Sequence, residues 1–183
     1  MKKIFFAPVF VFIFFCILSC ERDESLDPRP VIVAGQYVKL DITKKRLNSD
    51  DIANASFGGR LTTPGGNVAK YNLYVRKSDI FQIGTEFKLI KTVTSFPYDL
   101  NITPADLATA LNVPVSSLVY GDIFRFYGES FDASGNRCDF YSLSTTVQST
   151  TSMKQGYRFI TDMTNDAGMD VLELSAYDNY ITQ

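Results

Sequence analysis

The chain has no histidine and no tryptophan among its 183 residues, and only three cysteines. Without an imidazole there is no Ser-His-Asp or Cys-His nucleophile, no His-ligated zinc and no imidazole pH switch. Excess positive charge is also missing. Eighteen Lys+Arg stand against 20 Asp+Glu, a net charge of −2, whereas a nucleic-acid binder normally carries a basic face. No internal repeat and no low-complexity stretch interrupts the chain, and its length suits one domain.

What is present begins with an export segment. Lys2 and Lys3 open the chain, and Ile4 to Leu18 is an almost unbroken apolar run holding Phe5, Phe6, Phe10, Phe12, Phe14 and Phe15. Ser19 is a small residue at its end. A charged start, an apolar run of up to ~15 residues and a small residue at the cut describe a secretory signal peptide, residues 1–19. A membrane span needs ~20 apolar residues, and Glu21, Arg22, Asp23 and Glu24 end the run too early.

Ile17-Leu18-Ser19-Cys20 resembles a bacterial lipobox. The resemblance implies that Cys20 becomes the first mature residue and carries lipid on its sulfur and amine. One acyl chain binds a membrane only marginally, whereas two or more hold durably. The following Glu21-Arg22-Asp23-Glu24 resembles the export signal of Bacteroidota surface lipoproteins. That implies an outer-membrane location facing the cell exterior.

With Cys16 removed and Cys20 acylated, Cys138 is the one remaining thiol, so no internal disulfide can form. With no histidine to activate it, Cys138 is expected to be a small packed strand residue. Residues 20–35 carry Pro28 and Pro30 among polar residues and read as a tether. The domain is expected to span 36–183, with 155–183 either completing it or forming a separate contact arm.

The domain reads mainly as strand. Val38, Leu40 and Ile42 alternate with polar residues in Tyr37–Thr43. Ile52–Thr62 reads as a second strand with Ala53, Ala55 and Phe57 on one side, and Pro64-Gly65-Gly66-Asn67 as a turn. In Lys70–Lys77, Tyr71, Leu73 and Val75 point one way and Asn72, Tyr74 and Arg76 the other. Glu86–Thr94, Tyr98–Ile102, Ile123–Phe131 and Cys138–Gln148 follow, the last two joined by a turn at 132–136. One helix interrupts them. Thr103 suits the N-cap, Pro104 the first turn and Asp106 the capping box, with Leu107, Ala110 and Leu111 as an apolar stripe and a stop near Asn112 before Pro114. Ser116–Val119 is expected to add one more turn. About seven short strands with frequent turns predict an all-β fold, an immunoglobulin-like antiparallel β-sandwich with one short helix inserted. The disulfide-bonded kind is excluded because its cysteines are missing.

Residues 101–144, NITPADLATALNVPVSSLVYGDIFRFYGESFDASGNRCDFYSLS, resemble a recurring pattern in Bacteroidota surface lipoproteins of the SusE/SusF type, encoded near SusC/SusD glycan importers. There a strand leads into a short T-x-x-D-L-x-x-A-L helix, a Gly-Asp turn and a hairpin. KYNLYVRKSD fits the early sandwich strand of that family. The resemblance implies carbohydrate handling at the cell surface. The chain departs from the pattern in holding about one sandwich domain, where those proteins string several, and in lacking tryptophan.

An exposed tyrosine can lay its face on the C–H side of a sugar while its hydroxyl hydrogen-bonds. Tyr74 is the first candidate, because its neighbours take the core face; Tyr120, Tyr127 and Tyr141 follow. Asp162, Asn165, Asp166 and Asp170 gather oxygen ligands that could hold Ca²⁺, although their spacing departs from the D-x-[DN]-x-[DN]-G loop. A polar turn between strands at 157–161 and 171–174 explains them equally. No spacing singles out the carboxylate pair of a glycosidase. The expectation is a non-catalytic surface lipoprotein, without cofactor, that captures or presents a glycan for a SusC/SusD-type complex. The alternative is a structural or adaptor lipoprotein that binds a protein partner and no sugar.

Overall fold

Two nine-residue strands with opposite polar and apolar faces form the centre of the molecule. The computed structural model describes residues 36–78 and 86–165. In it β4 (Lys70–Ser78) and β7 (Ile123–Phe131) pair antiparallel along their whole length, from Lys70 opposite Phe131 to Ser78 opposite Ile123. Tyr71, Leu73 and Val75 of β4 and Phe124 and Phe126 of β7 are buried, as period-2 alternation demands of a sheet with one covered face.

The remaining strands extend this pair and cover it. β5 (Lys88–Val93) forms the edge beside β4, with a bulge at Leu73/Tyr74. On the other side of β7, β9 (Arg158–Thr164) pairs over Ile123–Tyr127 and β8 (Arg137–Asp139) over Glu129–Phe131. β2 (Leu47–Asn48) adds a short parallel contact to β9. The second sheet holds β1 (Lys39–Lys44), β3 (Phe57–Thr62) and β6 (Tyr98–Ile102) in the order β1-β3-β6, all antiparallel. The orders β1-β3-β6 and β9-β7-β4-β5 match strands A-B-E and G-F-C-C′ of an immunoglobulin-like sandwich. The expected fold class is therefore the observed one.

Apolar packing between the sheets centres on three aromatic rings. Phe57 stacks on Phe126 at 5.5 Å and on Phe159 at 5.7 Å, and Phe126 on Phe159 at 4.9 Å. One glycine is required by close approach. A Cβ at Gly128 would lie 2.4 Å from the Tyr71 hydroxyl and 2.8 Å from the Gly156 carbonyl oxygen. Tyr71 is buried and donates that hydroxyl to the Gly156 carbonyl.

α1 (Pro104–Leu111) crosses from β6 to β7. Thr103 Oγ1 accepts the Asp106 N–H, the Thr103 N–H donates to Asp106 Oδ2 at 2.8 Å, and Asn112 closes the helix in the left-handed region. Leu107 and Ala108 are buried, while Ala110 and Leu111 pack only partly against the core. The further turn is a 3₁₀ turn at Val115–Ser117, one residue earlier than expected.

Three expectations need correction. Ile52–Thr62 is not one strand: the Asp51 carbonyl accepts the N–H groups of Asn54 and Ala55, so 51–54 turn, Ala53 is exposed and β3 starts at Phe57. Cys138–Gln148 is not one strand either. It stops at Asp139, whose Oδ1 accepts the Ser142 N–H at 3.1 Å and caps a 3₁₀ turn, Phe140–Ser142. Ser144 then caps α2 (Thr145–Ser149). At 51–54 a main-chain turn takes the backbone out of the ladder, and at 139–149 the short polar side chains of Asp139 and Ser144 offer the backbone partners that compete with it. Finally, the strand expected to end at Thr161 continues to Thr164, completing the larger sheet. The signal segment, Cys20, Glu21–Glu24, the tether, Asp166, Asp170 and the strand expected at 171–174 lie outside the described residues.

Candidate functional site

The outer face of the larger sheet carries its polar side chains in rows, because residues directly opposite on paired strands share a face. In one row Tyr74 of β4 stands opposite Tyr127 of β7, and Tyr127 opposite Arg158 of β9. In the next, Arg76 stands opposite Arg125, and Arg125 opposite Ile160. Phe87, just before β5, and Tyr141, in the turn after β8, rise beside these rows. Together Arg76, Phe87, Arg125, Tyr127, Tyr141 and Arg158 line a groove of about 320 Å³.

Aromatic contacts fix the arginines in place. The Arg76 guanidinium lies 4.7 Å from the centre of the Phe87 ring, and Phe87 meets Tyr127 at 5.7 Å. Arg158 lies 5.1 Å from the Phe140 ring, which meets Tyr141 edge-on at 5.6 Å. Such cation–ring contacts favour a cation over the ring face. Arg125 Nε–H donates to Ser78 Oγ at 2.8 Å. Burial, together with the neighbouring charges of Arg125 and Arg158, lowers the Arg76 pKa, and its Nε is sealed from water without an acceptor among the described residues.

The carboxylates nearby are already engaged. Tyr127 donates its hydroxyl to Asp139 Oδ2 at 2.8 Å, and Arg137 pairs with the same oxygen at 3.0 Å and with Glu129 at 2.9 Å. Burial raises the Asp139 pKa, but the hydrogen bonds from Tyr127 and Ser142 and the charge of Arg137 outweigh it and hold the carboxyl below its ordinary value. Burial and the bond to Asp139 push the Tyr127 phenol up. Tyr127 is therefore a fixed neutral wall and not a titrating group.

Of the tyrosines singled out in the sequence, Tyr127 and Tyr141 line the groove, and Tyr141 is 73% exposed. Tyr74 stands beside Tyr127, half-buried and outside the groove lining. Tyr120 lies apart, exposed in the loop before β7. The arginines and Phe87 were not singled out. Strand alternation does put Arg76 on the outer face, but only the β4–β7–β9 register brings Arg125 and Arg158 beside it. Asp162 does not sit on a turn. It is buried within β9 with Arg46 Nε 3.5 Å from its carboxylate, so its nearest partner is a cation of the protein itself. Among the described residues no group of His, Cys, Asp and Glu could hold a metal ion. Cys138 is free and buried, and burial raises its pKa, as a packed structural thiol requires.

A second groove of about 710 Å³ runs between β1 and the segment 145–155, lined among others by Ile42, Thr145, Gln148, Lys154 and Arg158. Arg158 lines both grooves.

No protein-family model matches the chain, and no curated protein matches it significantly. Among the described residues no helix is long and apolar enough to cross a membrane.

Proposed function

We propose that this chain is a non-catalytic lipoprotein of the bacterial outer membrane, tethered through Cys20 and facing the exterior. It captures a glycan and presents it to an importer of the SusC/SusD type. The observation that carries the glycan reading is the groove on the open sheet face, where Tyr127, Tyr141 and Phe87 stand beside guanidinium groups. Aromatic faces with a few fixed polar groups are the usual chemistry of a small-ligand site, and ~300–1,000 Å³ is its usual size. Tyr141 presents a ring that can cover a sugar face without rearrangement. The resemblance of residues 101–144 to SusE/SusF-type proteins and the lipobox at 17–20 support the same reading.

The test is affinity electrophoresis of the mature chain through gels holding a panel of polysaccharides. Retardation by at least one glycan is expected, with Tyr141→Ala weakening it by about tenfold, or ~1.4 kcal/mol. Passage through every gel unretarded, with a protein recovered on the chain from native outer membranes, would replace this reading with that of an adaptor.

A further inference from the structure

We propose that the groove is built to hold a negatively charged group, so that the glycan it takes is acidic, with carboxylate or sulfate on its sugars. This rests on the glycan reading above and narrows its ligand class.

Three observations point to an anion. Arg76 and Arg125 stand directly opposite each other across the β4–β7 pair, an arrangement of like charges that destabilises a sheet. Arg158 stands in the adjoining row, beside Tyr127. Arg76 and Arg158 have no ion pair among the described residues. The acidic groups around the face have cations of their own: Asp139 and Glu129 face Arg137, Asp122 faces Lys77, and Asp162 lies 3.5 Å from Arg46 with neither oxygen hydrogen-bonded among the described residues. The buried Arg76 Nε–H has no acceptor among the described residues. A buried donor left unpaired is costly, so the Arg76 guanidinium keeps hydrogen-bonding capacity that the described residues do not meet.

The guanidinium fork also suits the ligand. It meets the two oxygens of a carboxylate or sulfate in parallel hydrogen bonds, and it stays charged throughout the physiological range. Packing of Arg76 on Phe87 and of Arg158 on Phe140 holds the forks before ligand arrives, which lowers the entropy lost on binding. Beyond Arg158 the second groove continues with Thr145, Gln148 and Lys154, a path for neighbouring sugars of a polymer. Because the whole chain carries a net −2 charge, attraction of a polyanion would be local to this face.

The test uses the full mature chain and titration calorimetry against a neutral glucan, polygalacturonate, dextran sulfate and a polyglutamate peptide. Binding of polygalacturonate or dextran sulfate is expected, and which of the two binds tells carboxylate from sulfate. Affinity should fall as salt rises from 50 to 500 mM through ~14 to ~4 Å of screening length. Arg76→Gln and Arg158→Gln should each weaken binding by about tenfold, with the thermal midpoint unchanged or raised. Arg60→Gln, on the exposed face of the other sheet, should leave it unchanged. Equal weakening by Arg60→Gln would reveal diffuse attraction and overturn the proposal. Binding of the neutral glucan, unaffected by Arg76→Gln, would overturn the acidic ligand and leave the glycan reading standing. Binding of polyglutamate alone would overturn both.

Discussion

Tyr157 shows how much a single hydroxyl can hold in this chain. It is fully buried, accepts the Val38 N–H at 3.1 Å, lies 2.8 Å from Ser130 Oγ and donates to the Gln36 carbonyl at 2.5 Å. Ser130 Oγ donates to the same carbonyl, and Gln36 Nε2 reaches the Asn136 carbonyl at 2.9 Å. The start of the described chain is thus fastened across β7 and β9 by polar groups sealed from water. Tyr157→Phe keeps the ring against Tyr71 but leaves the Val38 N–H without its partner. A loss of ~1–3 kcal/mol is expected, read as a lower urea midpoint with unchanged slope. The same residue scale explains why Tyr127 and Tyr141 differ although the sequence pattern placed both in strands. Asp139 holds one by its hydroxyl, whereas the other stands free on a 3₁₀ turn.

Among the elements, α1 is set by local chemistry and β8 by its interruption. Thr103 and Asp106 satisfy each other's backbone donors at the start of α1, so the helix begins at a defined residue. Thr103→Ala should cost ~1 kcal/mol. Thr109→Ala, which removes only an exposed back-bond to the Ala105 carbonyl, should stay within ~0.5 kcal/mol. Comparison of the two thermal midpoints separates a capping effect from general loss of threonine. The capping at Asp139 and Ser144 has a further consequence. By ending β8 early it turns the chain outward and raises Tyr141 at the rim of the groove, while Phe140 stays buried against Arg158. At the opposite edge of the sheet, β5 carries the exposed Lys88 and the half-buried Lys91, charges that discourage pairing with another strand.

At the scale of the whole molecule, the proposed binding face and the proposed anchor are separable features of one chain. The groove belongs to the folded sandwich, whereas the proposed tether at 20–35 and Cys20 precede it. Cys20→Ser should therefore release the protein from the outer membrane without altering glycan retention by the purified domain. Fractionation, together with the mass of the mature amino terminus, checks this. A parent chain with no acyl mass, or a variant that fractionates with the membrane as the parent does, would remove the anchor from the account.

Much of the fold was legible because its signals are local. Alternation in Lys70–Ser78 and Ile123–Phe131, the Thr103–Asp106 box and the Gly135 turn each depend on neighbours in sequence. The strands misjudged at 52–56 and 140–148 were apolar enough in pattern, but Asp51, Asp139 and Ser144 satisfy the backbone before a ladder can. The proposed export segment and the absence of histidine belong to the sequence alone. The cluster of Arg76, Arg125 and Arg158 belongs to tertiary structure alone. Strand register brings together residues far apart in the chain, and no periodicity within one strand records which strand will lie beside it.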